Sequence, residues 1–332
     1  MAAPRIEVSR RQSATREKAV PHLRTRAFGA ALQCGYTAGG WRILRAMDTR
    51  FWLIQAFNGV SYGALLFLVG SGLSLIFGVM RIVNLSHGSY FLLGGYVALS
   101  VIWTTGSWLL AIPVAALTIA LVGVVMERVF LRPLGFDPLR QVLLTVGFAF
   151  LFQQAALDIW TGNNFDINPP DALTKSIVVG GLYLPLYRIF MIATALIIGV
   201  ILWLAMEKTR MGAAVRATVD DAQMARGVGI DTSRISMLIF ALGAFLAALG
   251  GVIGGAFLGI YPGLDFEMLP IAFAVVIIGG MGSLGGAAIG ALVVGLADNF
   301  GKALFPEISY FTLYAPMALI LAVKPTGLFG RE

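Results

Sequence analysis

Apolar residues in this chain form runs longer than a soluble domain needs. No Asp, Glu, Lys or Arg occurs in residues 51–80, 82–126, 235–264 or 268–297. A helix needs about 20 mostly apolar residues to cross a bilayer, so these runs predict a polytopic membrane protein. Backbone polar groups in lipid must be hydrogen-bonded within the protein, and the runs do not alternate as barrel strands do. We therefore expect an all-α transmembrane helical bundle.

The pattern predicts 8 to 10 membrane segments. Eight are long enough for a full crossing: 52–69, 89–105, 108–126, 141–160, 189–206, 236–258, 285–304 and 308–323. The apolar segments 70–83 and 268–281 are short, and each ends at a polar or glycine-rich break. Counting both as crossings places the basic N-terminus, the basic loops and the C-terminal tail on one side. A short or broken segment in each half is typical of transporter cores. Eight helices with an external N-terminus is the alternative.

Basic residues in the short loops predict the orientation and the domain organisation. Loop 127–140 carries three Arg and loop 207–235 carries five Lys or Arg, so both are expected to be cytoplasmic. Loop 161–188 is expected to be external, and so are Asp265 and Glu267, which have no basic neighbour. We predict a basic, disordered cytoplasmic tail at 1–50, a transmembrane domain at 51–324 and a C-terminal tail at 325–332.

Composition narrows the classes of function. The formal charge of +7 arises in residues 1–50, which hold ten Lys or Arg and three Asp or Glu. This tail beside the membrane favours contact with anionic lipid, and no nucleic-acid partner is expected. One cysteine, Cys34, and two histidines exclude an internal disulfide and a cysteine- or histidine-based metal centre. We expect no catalytic residues, no metal and no bound cofactor.

The segment Gly280-Met-Gly282-Ser-Leu-Gly285 matches a dinucleotide-binding pattern. It lies inside an apolar run, without the preceding strand that such a site needs. We interpret Gly279, Gly280, Gly282 and Gly285 as a helix break or hinge, because glycine permits tight turns and close backbone contacts. No GxxxxGK[ST] phosphate loop occurs, so this chain is not expected to hydrolyse ATP.

Four polar residues lie at the first break: Asn84, Ser86, His87 and Ser89. Polar groups at membrane depth favour a translocation path. Alternatively, Asn84 or Ser86 accepts backbone N–H bonds at a helix start. Both interpretations remain open. The spans are expected to contain no chain of buried acids, which disfavours an ion-coupled carrier.

Loop 207–235 predicts a short surface helix. Thr218 and Asp221 have the spacing of a capping box, and Gly227 or Gly229 would end the helix. Ala222 and Ala225 are expected to share an apolar face with Val228. That face either packs on the same protein or docks on a partner.

These segments together resemble a known family. Residues 72–88, 221–230, 240–251, 279–286 and 324–330 are similar to branched-chain amino acid permease subunits of ABC importers. The resemblance covers about residues 52–330. It implies a second related permease, two cytoplasmic ATPase subunits that hydrolyse ATP, and a periplasmic binding protein, all at the bacterial inner membrane.

The resemblance also implies that loop 207–235 couples to an ATPase through Asp221, Ala222, Ala225 and Gly229. The family motif expects Glu-Ala-Ala, three residues and Gly, whereas this chain has Gln223-Met224-Ala225 before Gly229. Branched-chain amino acids are the expected substrates. Urea, short amides, small organic acids or a stand-alone secondary carrier are the alternatives, and a membrane-embedded enzyme is disfavoured.

Overall fold

The protein is described by a computed structural model that covers residues 49–135 and 137–330. The predicted tail at 1–50 lies outside these residues except for its last two. The described helices and strands are α1 Thr49–Met80, α2 His87–Thr105, α3 Trp108–Val125, α4 Pro138–Trp160, α5 Asp171–Thr174, β1 Ser176–Val179, β2 Leu182–Pro185, α6 Leu186–Lys208, α7 Arg210–Asp220, α8 Ala222–Gly227, α9 Thr232–Leu258, α10 Leu264–Gly279, α11 Leu284–Leu304 and α12 Ser309–Val323. A π-helical turn (Met126–Leu131) and a 3-10 turn (Arg132–Leu134) extend α3, and a 3-10 turn (Pro306–Ile308) precedes α12.

Six of the described helices are long and apolar enough to span a membrane: α1, α3 with its extension, α4, α6, α9 and α11. The helices α2, α10 and α12, of 19, 16 and 15 residues, pack among them. The fold is therefore an all-α, polytopic helical bundle, as the sequence predicts, with one small β-hairpin. The count of 8 to 10 crossings stays a prediction.

The helices α1 and α9 form the centre of the bundle. Within their apolar stretches 78% and 72% of residues are buried, against 17% in both α4 and α6. The outer helices expose large apolar side chains, among them Phe150, Leu196 and Trp203. Apolar surface of this extent is an aggregation hazard in water but is solvated by lipid.

The first helix corrects the sequence prediction, which divided residues 52–83 into a crossing and a separate short segment. It is one helix of 32 residues, about 48 Å long at 1.5 Å per residue. Its first turn lies beside the β-hairpin, where the Arg50 guanidinium is 3.5 Å from a Cβ built on Gly181. Beyond its last turn, Arg81 Nη2 donates to the Val219 carbonyl in loop 207–235, at 3.3 Å. The ends of α1 therefore lie on opposite faces of the described bundle.

The loop at 161–185 is ordered by backbone pairing that the sequence did not predict. Gly180 and Gly181 join β1 to β2 with φ of +59° and +79°. A type I′ hairpin turn requires positive φ at both central residues. Phe165 exchanges two backbone hydrogen bonds with Ile260, of 2.9 and 2.7 Å, which fix this loop to the turn after α9.

The C-terminal tail packs on the break between α10 and α11. The backbone N–H groups of Leu328 and Phe329 donate to the carbonyls of Ile278 and Gly279, at 2.9 and 3.0 Å. The last carbonyls of a helix have no partner within the helix. The tail therefore caps α10, and it is part of the fold rather than an appended segment.

Candidate functional site

The connection between α1 and α2 brings polar residues into the interior. The chain leaves α1 at Arg81, which is exposed, and resumes a helix at His87, which is completely buried. Residues 81–84 have no regular secondary structure. The helix α2 therefore begins within the protein rather than at its surface, and its first N–H groups need partners there.

Asn84 organises this turn. Its Oδ1 accepts hydrogen bonds from the Ser86 backbone N–H, at 3.1 Å, and from Ser86 Oγ, at 2.7 Å. The Tyr90 hydroxyl contacts Ser86 Oγ at 3.3 Å and donates to Met126 Sδ at 2.8 Å. Ser86 itself caps no backbone group of α2 through its side chain. Asn84 thus accepts a backbone N–H in the turn immediately before α2, while the Asn84 Nδ2 group makes no hydrogen bond within the described residues.

His87 joins the start of α2 to the middle of α1. Its Nε2 lies 3.0 Å from the Val69 carbonyl. A carbonyl only accepts, so Nε2 carries the proton and the neutral ring leaves Nδ1 as an acceptor. That Nδ1 is buried and has no partner within the described residues. The ring therefore holds α1 against α2 and keeps one acceptor free.

Ser89 contacts an acid that the sequence placed in an external loop. Its Oγ donates to Asp265 Oδ2 at 3.1 Å, and Asp265 is 2% exposed. The first turns of α2 and α10 approach closely here, since a Cβ on Gly88 would lie 2.3 Å from the Asp265 carbonyl oxygen. Both helix N-termini favour a negative charge at this point. The Asp265 Oδ1 atom has no hydrogen-bond partner within the described residues.

The sequence predicts no chain of buried acids, but three separate acids are buried among the described residues. Besides Asp265, Glu127 is 2% exposed and Asp298 is 3% exposed. Asp298 pairs with Lys302 at 2.7 Å, one helical turn later in α11. Glu127 is the second residue of the π-helical turn that follows α3. The composition suggested few acids, but burial depends on which helix faces meet.

Loop 207–235 contains two short helices, α7 and α8, instead of one. The predicted capping box is wrong, because α7 runs through Thr218, whose hydroxyl donates to the Ala214 carbonyl at 2.8 Å. Asp221 is the N-cap of α8, and its Oδ1 accepts from the N–H groups of Gln223 and Met224, at 2.8 and 2.9 Å. These two bonds, together with the nearby Arg81 charge, lower the pKa of the Asp221 carboxyl.

The end of α8 follows the predicted glycines. The last helical residue is Gly227, and Gly229 has φ of +88°. Gly229 N–H donates to the Arg226 carbonyl and Ile230 N–H donates to the Ala225 carbonyl, both at 3.0 Å. This pair of bonds is a Schellman motif, which needs a left-handed residue where Gly229 stands.

The faces of α8 differ from the predicted ones. Ala225 is 3% exposed and packs inward, and Ala222 is half-buried, whereas Val228 is 72% exposed. These three residues do not share one surface. The apolar side chains that α8 and its end present outward are Met224, at 66% exposed, and Val228. The exposure of Met224 was not predicted, although Met224 lies between Gln223 and Ala225 in the segment that resembles the family motif.

The four glycines of the second break have different surroundings. Gly279 ends α10, Gly280 and Gly282 lie in the turn with φ of +98° and +81°, and Gly285 is in the first turn of α11. A Cβ on Gly280 would clash with the Gly330 backbone nitrogen, and one on Gly282 would lie 3.0 Å from Gly78 Cα. A Cβ on Gly285 would meet nothing within 4 Å.

A match to a protein family covers nearly all of the membrane part. Residues 55–321 match the family described as "Branched-chain amino acid transport system / permease component". The chain belongs to this family. The sequence resemblance is confirmed, and the matched range includes both helix breaks.

The branched-chain amino acid permeases among the relatives match over almost their whole length. The chain is 32% identical over 299 residues to the high-affinity branched-chain amino acid transport system permease protein LivH of Escherichia coli (strain K12), which covers 85% of this chain and 96% of that protein. It is 28% identical to the corresponding protein BraD of Pseudomonas aeruginosa, covering 84% and 96%. The autoinducer 2 import system permease protein LsrC of Salmonella typhi is 27% identical, covering 77% and 73%.

The permease has no cluster of three or more metal-binding side chains among the residues searched, which are the described ones. Buried polar side chains occur at the starts of α2 and α10 and in the π-helical turn after α3, and others lie elsewhere, such as Asp298 in α11. Polar groups buried at membrane depth are candidates for a substrate pathway.

Proposed function

We propose that this chain is a permease subunit of a binding-protein-dependent ABC importer for branched-chain amino acids in a bacterial inner membrane. The family match over residues 55–321 carries the proposal, because it coincides with the membrane-spanning part. Two ATPase subunits, a second related permease and a periplasmic binding protein complete the importer. ATP hydrolysis belongs to the ATPase subunits, and this chain needs no cofactor.

In this proposal, loop 207–235 faces the cytoplasm and contacts an ATPase. Exposed Met224 and Val228 support this role, since apolar side chains on a short surface helix suit a groove in a partner. Asp221 and Gly229 set the ends of α8, and Ala222 and Ala225 hold it on the permease. Replacing Ala225 with Arg would therefore disturb the packing of the permease itself. Met224→Asp and Val228→Asp are better tests of docking, with Gln223→Asp as a control that adds the same charge without removing an apolar contact.

The turn at Asn84, Ser86, His87 and Ser89 borders the translocation path in this proposal, and the glycine break at 279–286 gives α10 and α11 a hinge. Alternating access would then move the first turns of α2 and α10 relative to each other. Unpaired polar atoms on His87, Asn84 and Asp265 support a path there, because a passing polar substrate would give them hydrogen-bond partners.

The decisive test is transport by the reconstituted importer. The permease, its partner permease, the two ATPases and the binding protein are placed in liposomes, and uptake of labelled leucine is followed with and without ATP. ATP-dependent uptake that requires the binding protein is the expected result. Uptake without ATP would support a stand-alone carrier instead. This control is necessary because the buried acids Glu127, Asp265 and Asp298 are the kind of group that an ion-coupled carrier uses.

The name of the LsrC relative gives a second candidate substrate class, because it describes the permease of an autoinducer 2 import system. Its match is shorter than that of LivH, which favours amino acids here. Competition of leucine uptake by valine, isoleucine, urea and short amides separates the remaining alternatives. Competition by urea or amides alone would contradict the proposal.

A further inference from the structure

Arg81 occupies the point where α1 ends and the turn toward α2 begins. Its backbone N–H donates to the Phe77 carbonyl at 2.8 Å, which closes the last turn of α1. Its φ is +54°, a left-handed conformation that is unusual for a side chain other than glycine. Asn84 follows three residues later. The orientation of Arg81 therefore sets the direction in which the chain enters the core.

The Arg81 side chain points to the coupling segment of loop 207–235. Its Nη2 donates to the Val219 carbonyl, in the last turn of α7, at 3.3 Å. A cation is favourable at a helix C-terminus. The Arg81 charge also acts on Asp221, the N-cap of α8. One side chain thus contacts the junction of α7 and α8.

The surrounding packing makes this contact a bridge. A cavity of about 520 Å³ lies between α8 and the end of α1, and Arg81, Gln141 and Asp221 are among the residues that line it. Deeper in the protein, Val215 of α7 belongs to a buried cluster with Leu75 and Val79 of α1. The segment α7–α8 therefore packs on α1 through Val215. Beside the cavity, the Arg81 side chain also contacts this segment.

We propose that Arg81 is a positioning residue, which passes movement of the α7–α8 junction to the turn at Asn84–His87. This inference rests on the proposed function, since it needs an ATPase that moves α8. A shift of Val219 pulls on the Arg81 side chain, and Arg81 precedes Asn84 by only three residues in the chain. Leu85 N–H donates to Thr145 Oγ1 at 3.2 Å, so the same movement changes a contact between the turn and α4.

The test uses the complete importer in liposomes and measures leucine uptake per ATP hydrolysed. Arg81→Gly removes the guanidinium and also relieves the positive φ, so the backbone of the turn is retained. We expect uptake per ATP to fall about tenfold, within the usual range for coupling between two sites. Arg81→Gln, which keeps the length of the side chain, should have a similar effect. Arg81→Lys keeps the charge and should recover part of the ratio.

Arg140→Gln is the matched control, because Arg140 is exposed on the same face and its ion pair is with its own neighbour Asp137. Its ratio should equal that of the wild type. Hydrogen exchange gives a second measurement, on wild type and Arg81→Gly with and without ATP. In the variant, the ATP-dependent change over residues 82–88 should disappear while that over 222–230 persists.

Two outcomes separate this inference from the proposed function. A wild-type complex that fails to import leucine contradicts the proposed substrate, whatever the Arg81 variants do. Wild-type uptake with an unchanged ratio in Arg81→Gly and Arg81→Gln, or an unchanged exchange response over 82–88, overturns the role of Arg81.

Discussion

At the scale of single residues, side chains in the turn before α2 replace the backbone partners that an interrupted helix lacks. Asn84 Oδ1 accepts from both the backbone and the side chain of Ser86. His87 reaches across to Val69, and Ser89 reaches Asp265. A buried donor left without an acceptor is costly, so the members of this group have unequal importance.

Asn84→Ala should destabilise the permease more than Ser86→Ala. The first change leaves the buried Ser86 N–H without its acceptor and should cost about 1–3 kcal/mol. The second change removes the Ser86 hydroxyl, but Asn84 Oδ1 still accepts from the Ser86 backbone N–H. It should therefore cost about 1 kcal/mol. Thermal unfolding of the purified variants in detergent measures both. An equal loss of stability in the two variants would contradict the role of Asn84 as the acceptor for the Ser86 N–H.

Asp221 should make α8 sensitive to acid. Its pKa is lowered in the folded protein, from an ordinary value of about 3.9. The stabilisation is therefore complete above that value and is lost as the pH falls through the lowered pKa. Hydrogen exchange over residues 222–228, corrected for the intrinsic pH dependence, should show fraying only at the acid end.

Asp221→Asn is the control for this effect. Asparagine caps helices well and does not titrate in this range, so its exchange profile should lack the acid transition. A wild-type profile that runs parallel to that of the variant would exclude the Asp221 carboxylate as the cause.

At the scale of elements, the protein interrupts its helices in two ways. Between α1 and α2 the interruption is polar and buried. Between α10 and α11 it consists of glycines in left-handed conformations, and the C-terminal tail covers it through Leu328 and Phe329. The second interruption depends on the absence of side chains, so adding a methyl group tests it directly.

Gly280→Ala and Gly282→Ala should each destabilise the protein by about 2 kcal/mol or more, because a left-handed alanine costs about 1–2 kcal/mol and steric overlap adds to it. Gly285→Ala is the matched control within the same segment. It lies in a helix with open space around it, so it should be neutral or stabilise by up to about 1 kcal/mol. Detergent unfolding midpoints compare the three. A similar loss in Gly285→Ala would show that general sensitivity, rather than backbone conformation, dominates.

At the scale of the whole molecule, the two faces of the bundle have different structures. One carries the β-hairpin, the first turn of α1 and the Phe165–Ile260 bridge. The other carries α7, α8 and the C-terminal tail. In the proposed importer the first face meets the binding protein and the second meets the ATPases, so the two must be accessible from opposite sides of the membrane.

Thiol labelling tests this arrangement. The only cysteine is Cys34, which can be replaced by serine to give a background without thiols. Tyr183→Cys and Val228→Cys then place single thiols at positions that are 73% and 72% exposed on the two faces. A membrane-impermeant reagent should label the first in spheroplasts and the second only in inside-out vesicles. Labelling of both from one side would contradict the topology.

The fold class and the family followed from local properties of the sequence. Runs of residues without charge predicted helices in lipid, and the positions of glycine predicted where α8 and α10 end. The polar residues from Asn84 to Ser89 were found because polar groups are rare in such runs. Each of these signals depends on residues close in the chain, so no tertiary contact was needed to read them.

Other features were decided by contacts between residues far apart in the sequence. The sequence placed Asp265 in a loop, whereas in the structure it is buried between α10 and the start of α2. The sequence assigned Ala225 to docking, whereas in the structure it packs against the rest of the protein. Hydropathy could not distinguish one helix at 49–80 from two, since lipid and protein surroundings both favour apolar residues. The sequence by itself determined which segments avoid water, because transfer from water depends on residue type. Only the tertiary structure decided which faces meet and which polar groups are buried, because that depends on packing between distant helices.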